Sequence, residues 1–127
     1  MGATDFLSLT VSVTSSTLLC AGIAALMPRI VGDEPNPVVG IRTRSTQSSA
    51  EAWQLAHRVA QPILRGTVWT AAAGLCVQLV IGVLMGFGSG VSSVTAVIVA
   101  VSAFSVLIYA GVKGNAAAKA LNRGPSD

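Results

Sequence analysis

Charge is scarce in this sequence. Of its 127 residues, five are Asp or Glu, eight are Lys or Arg and one is His, a charged fraction of 10% where an average soluble domain carries about 25%. Aromatic residues make up only 5%, and there are two cysteines, which excludes a scaffold stapled by disulfides. The net charge of +3 is too small for the basic footprint of a nucleic-acid-binding protein. What is abundant is apolar: a hydrophobic share of 52% excludes intrinsic disorder, because such a chain has ample surface to bury. The length is that of one domain, spanning residues 1–127.

The few charges are also unevenly placed. Residues 6–27, 67–87 and 91–112 contain no Asp, Glu, Lys, Arg or His. A hydrocarbon core about 30 Å thick is crossed by about 20 helical residues. Lipid offers the backbone no hydrogen-bond partner, so each crossing must be a helix that pairs its own amides. The expected fold is therefore all-α, an integral membrane protein with three transmembrane helices at those positions. The first is the most polar, with Ser8, Thr10, Ser12, Thr14, Ser15, Ser16 and Thr17. It lacks the cationic lead of a cleaved signal peptide, because residues 1–5 offer only Asp5. Cys20 and Cys76 fall inside the spans, where a thiol packs as a small apolar group.

All eight cations lie on one side of this pattern. Arg29, Arg42, Arg44, Arg58 and Arg65 occupy the connector 28–66, while Lys113, Lys119 and Arg123 occupy the tail 113–127. Short loops rich in Lys and Arg stay in the cytoplasm, so the N-terminus and the Gly88-Ser89-Gly90 turn are expected outside, with the connector and tail inside. In a bacterium this is a multi-pass plasma-membrane protein. Trp53, Trp69 and Tyr109 fall near the inner boundary, where indole and phenol rings anchor at headgroup level.

Helices associate in lipid by close backbone approach and polar contact. Positions 66, 70, 74, 78, 82 and 86 of the second span read Gly, Thr, Gly, Gln, Gly, Gly, a strip that winds slowly round the helix and serves two neighbours. Gly74, Gly82 and Gly86 are the expected close-approach points. Gln78 is expected to face another helix, since an unbonded amide is costly in hydrocarbon. In the first span Ser8, Ser12, Ser16, Cys20 and Ala24 form a matching strip.

The connector holds most of the charge and the one histidine. Pro35 and Pro37 bias Glu34 and Asn36 toward extended backbone, and residues 38–44 read as extended or irregular. Ser48 and Glu51 have the spacing of a capping box. From 49 to 61, Ala52, Trp53, Leu55, Ala56, Val59 and Ala60 share one arc, with Glu51, Gln54, Arg58 and Gln61 opposite. This predicts an amphipathic interfacial helix in the cytoplasmic loop, which turns at Pro62 into the second span.

The run Asn36-Pro37-Val38-Val39-Gly40-Ile41-Arg42-Thr43, then Thr46, Glu51-Ala52-Trp53 and His57-Arg58, resembles the signature of the SdpI-like family of bacterial membrane proteins. Many relatives carry a proline where Arg44 stands here. The resemblance implies a short form of the C-terminal portion of a larger immunity protein, which protects a cell from its own secreted peptide toxin and holds a transcriptional repressor at the membrane. By their chemistry, Gly40 suits a tight turn or close approach. Arg42 suits a lipid phosphate or an intramolecular pair, Trp53 an interface anchor, and His57 a hydrogen-bonded scaffold. With Thr43, Arg44 and Arg58 they form the candidate set for loop recognition or contact with anionic headgroups.

No nucleophile with its base, carboxylate pair or metal-ligand cluster is visible, so neither catalysis, a cofactor nor a metal is expected. The spans lack the ionisable residue of a proton pump or transporter. Two readings remain: immunity or tolerance toward a membrane-active peptide toxin, and an accessory subunit that stabilises a larger membrane complex.

Overall fold

A computed structural model of the chain describes residues 1–35 and 40–123. It contains three long helices, α1 (Ala3–Ile30), α2 (Ala50–Met85) and α3 (Gly90–Arg123), with a short 3-10 turn at Thr46–Ser48 before α2. Each long helix is long and apolar enough to cross a membrane. The helices run up, down and up again: Thr10 of α1 bonds Ser93 of α3 at 2.9 Å, and Gly88 lies against the first turn of α1. All eight cations consequently gather at the opposite, basic end.

The helices overrun the expected spans. α2 and α3, with 36 and 34 residues, are each roughly 50 Å long at 1.5 Å per residue, far beyond the hydrocarbon thickness. The separate interfacial helix expected at 49–61 is instead the start of α2, which continues through Pro62 without a break. Proline removes one amide donor and fixes φ near the helical value. That costs a hydrogen bond at Arg58 but does not stop a helix held on both sides by packing. α1 likewise passes through Pro28. The segment expected as a tail from 113 is helical to Arg123. The cap of α2 is Ser49, whose hydroxyl accepts from the Ala52 amide at 3.0 Å; Ser48 instead donates to the Ser45 carbonyl. The extended backbone expected at Asn36 to Val39 lies outside the described residues.

Apolar packing follows the small residues. Cys20, Ala71 and Ala103 meet at the centre of the three helices. A Cβ on Gly74 would stand 2.4 Å from the Val99 side chain, and one on Gly66 would touch Val106 at 3.6 Å, so this part of the strip faces α3. Four residues on from Gly74 the strip reaches α1, where Gln78 Nε2 donates to Thr14 Oγ1 at 2.8 Å. Two expectations need correction. Gly82 accommodates the ring of Phe87, which folds back from the turn to within 2.1 Å of a built Cβ, rather than a neighbouring backbone. Gly86 ends α2 with φ +92 and has open space around it. On α1 the buried side is Thr10, Thr17, Cys20, Ala24 and Met27, whereas Ser8, Ser12 and Ser16 face outward. The four-residue strip drifts round the helix, and only its Cys20–Ala24 half reaches the bundle.

Gly74→Val is expected to lower the unfolding midpoint in detergent by the equivalent of about 1–3 kcal/mol of overpacking. Gly82→Val should cost less, because the Phe87 ring ends a rotatable side chain and can swing away. A larger loss at Gly82 than at Gly74 would contradict this packing.

Candidate functional site

Above the apolar segments, the basic ends of α2 and α3 form a platform on which the connector is docked. Ala52 and Ala56 of α2 pack on Ala118 of α3. Gly114 lets the backbones close, since a Cβ there would be 2.7 Å from the Ala56 carbonyl oxygen and 2.6 Å from Ile41. The apolar arc of 49–61, expected to rest on headgroups or on the inner ends of the spans, is covered by the helical extension of α3. Trp53, expected as an interface anchor, is fully buried in the cluster with Met27, Val31, Leu64 and Ala110. Its Nε1 donates to the Gly32 carbonyl at 3.2 Å, which ties the end of α1 to α2. The ring at the apolar boundary is Trp69, 74% exposed.

His57 is the hinge pin of the docked connector. Its Nδ1 lies 2.7 Å from the Trp53 carbonyl, and its Nε2 accepts the Ile41 amide at 2.8 Å. An N–H donor facing Nε2 requires that nitrogen to be bare, so the proton sits on Nδ1 and the ring is neutral. The ring packs at a tilt against Trp53, with centroids 4.3 Å apart. Burial lowers the pKa of His57 from its ordinary 6.5, against the opposing pull of the Trp53 carbonyl. Gly40 lies flat against this pair: with φ +105, and with His57, Val31 and Trp53 all within 2.8 Å of a built Cβ, only glycine fits.

The next residues close a turn. Thr46, fully buried, accepts the Thr43 amide at 3.0 Å and donates to the carbonyl of Ile41. Thr43 Oγ1 in turn donates to Asn115 Oδ1 of α3 at 2.6 Å. Farther along α3, Asn122 donates to the Ser45 carbonyl at 3.2 Å. The structure therefore brings Gly40, Thr43, Trp53 and His57 into one internal joint. Arg42, Arg44 and Arg58 are exposed around it. Gly114, Asn115, Ala118 and Asn122, the α3 half of the joint, were missed by the sequence reading. The four-residue spacing of Gly114, Ala118 and Asn122, with Asn115 beside it on the same face, is the helical signal that could have found them.

A second feature lies at the other end. Between α1 and α2 a groove of about 660 Å³ opens at the surface, walled by Leu7, Val11, Leu75, Leu79 and Phe87, with the polar groups of Thr10, Thr14, Ser15 and Ser92 among them. Gln78 lines it too. That residue is 9% exposed, and its Oε1 has no hydrogen-bond partner among the described residues.

Three spanning-length apolar helices and a docked polar connector define a multi-pass helical membrane protein. The family model described as the SdpI/YfhL protein family matches residues 33–112, more than half of the chain and inclusive of the whole joint on its α2 side; the chain belongs to that family. No curated protein and no solved structure matches it.

The joint predicts a pH dependence. A neutral ring is required, so docking is fully stabilised above about pH 6.5 and weakens as the pH falls below that value and through the lower pKa of the docked ring. Hydrogen exchange at the Ile41 amide in bilayers, corrected for its intrinsic pH dependence, should accelerate over that window. Protection that is unchanged on acidification would contradict the assignment.

Proposed function

We propose that the protein confers immunity or tolerance toward a membrane-active peptide by binding it within the bilayer, without catalysis and without a cofactor. The observation that carries this reading is the α1–α2 groove. It is apolar enough to accept an inserted helix, and it offers the unpaired Gln78 Oε1 in a medium where such a group finds few competitors. By the distribution of Lys and Arg, the basic end faces the cytoplasm and the Gly88 turn faces outward in a bacterial plasma membrane. The groove then opens in the outer leaflet, where a peptide arriving from outside first inserts. The docked connector on the inner side is the part available for signalling.

Expression of the chain in a sensitive strain should raise the peptide concentration needed to kill. Leu79→Trp, which fills the groove from an exposed position, should abolish protection. Gln78→Leu should reduce it by a factor of about three to twenty, the range for single polar contacts between membrane helices. Full protection by both variants, at wild-type abundance in the membrane, would contradict the reading.

One observation favours the other function, an accessory subunit of a larger membrane complex. Ser8, Ser12 and Ser16 lie on the outward face of α1, and Gly22 has open space around it, a surface on which a partner helix packs closely. Stoichiometric recovery of an enzyme or transporter with the chain in mild detergent would favour the subunit role over immunity.

A further inference from the structure

A second, smaller groove lies between the last turns of α1 and the first half of α2, at the basic end. The part nearer the bundle centre, about 310 Å³, is walled by Ala24, Ala25, Leu64, Val68 and Trp69, with Arg65 at its edge. The part farther out, about 290 Å³, is bordered by Arg29, Arg58, Gln54 and Asp33, with His57 at its wall. Pro28 and Gln61 line both, so the two parts adjoin, one apolar and one cationic.

The geometry points to an anionic phospholipid as its occupant, with acyl chain against Val68 and Trp69 and phosphate among Arg29, Arg58 and Arg65. In the outer part Arg29 and Arg58 face one carboxylate, that of Asp33, and Arg65 adds a third cation at the edge of the inner part, so the groove favours an anion. Among the described residues no hydrogen bond or ion pair engages any of the three guanidinium groups, which leaves their donors free for phosphate oxygens. Arg58 and Arg65 are two turns apart on α2, about 10 Å along its axis, and Trp69 follows Arg65 by one further turn. An indole ring one turn toward the bundle centre from a cation matches the order of a bilayer read from headgroup to chain. Free phosphate would leave the apolar part empty, and an acidic polypeptide would carry no chain to fill it. Arg42 and Arg44, although exposed, do not border the groove.

The test uses the full chain in phosphatidylcholine vesicles containing phosphatidylglycerol, with bromine on the acyl chains of one lipid or the other. Trp53 is fully buried, so contact quenching reports on Trp69. Brominated phosphatidylglycerol should quench more than brominated phosphatidylcholine at equal mole fraction, with a preference of about fivefold for each cation engaged. The paired change Arg58→Gln and Arg65→Gln should lower the preference about twenty-five-fold, leaving only what Arg29 contributes, while Arg42→Gln with Arg44→Gln leaves it unchanged. Arg65→Gln alone, expected to lower it about fivefold, serves if the pair fails to fold by circular dichroism. Equal quenching by the two lipids would overturn the proposal. So would an equal loss in the Arg42 and Arg44 variant, which would mean diffuse surface attraction. Abolition of the preference by inorganic phosphate at constant ionic strength would assign the arginines to the free anion instead.

Discussion

A neutral imidazole held between two backbone groups organises the basic half of this protein. His57 receives the Ile41 amide on one nitrogen and faces the Trp53 carbonyl with the other, so a single ring joins the connector to α2. Around it Gly40 fits only because it lacks a side chain, and Trp53 reaches back to the end of α1. Thr43 extends the same joint to α3 through Asn115. Charging the ring would put two N–H donors face to face at Ile41.

The apolar half obeys a different constraint. In lipid each polar group must find a partner within the protein. The hydroxyls of Ser15, Thr95, Ser102 and Ser105 return to the carbonyl four residues earlier, which leaves helix surfaces free for lipid or for packing. Between helices, Thr10, Ser93 and the Phe6 carbonyl share bonds near the turn, and Gln78 meets Thr14. The Oε1 of Gln78 stands outside this pattern, on the wall of the groove between α1 and α2. Small residues draw α2 onto α3 through Gly74 and Gly66, but α1 turns its serines away, so the α1–α2 seam stays open at both ends.

The three spans were legible because an uncharged apolar run of about 20 residues matches the thickness of a bilayer and little else. The helix ends were not. Pro62 read as a turn between two helices, yet it removes only one donor from a helix otherwise held by packing. Lys113 read as the start of a tail because charge marks the end of a lipid-crossing segment, whereas the helix itself continues as far as Gly114, Asn115, Ala118 and Asn122 have contacts to make. That continuation accounts for the misplacement of Trp53: an amphipathic arc seen without its partner looks like a membrane-surface helix. Gly40 was read as a turn or a close approach and is both. Gly82 was assigned to a neighbouring helix because the sequence cannot reveal that Phe87, five residues later, folds back onto it.

The most direct test of the docked joint is the protonation pattern of His57 measured by nitrogen-15 magnetic resonance in bilayers at neutral pH. The account predicts a neutral ring carrying its proton on Nδ1, with Nε2 showing the shift of a nitrogen that accepts a hydrogen bond. A proton on Nε2, or a ring averaging between tautomers as in water, would contradict it.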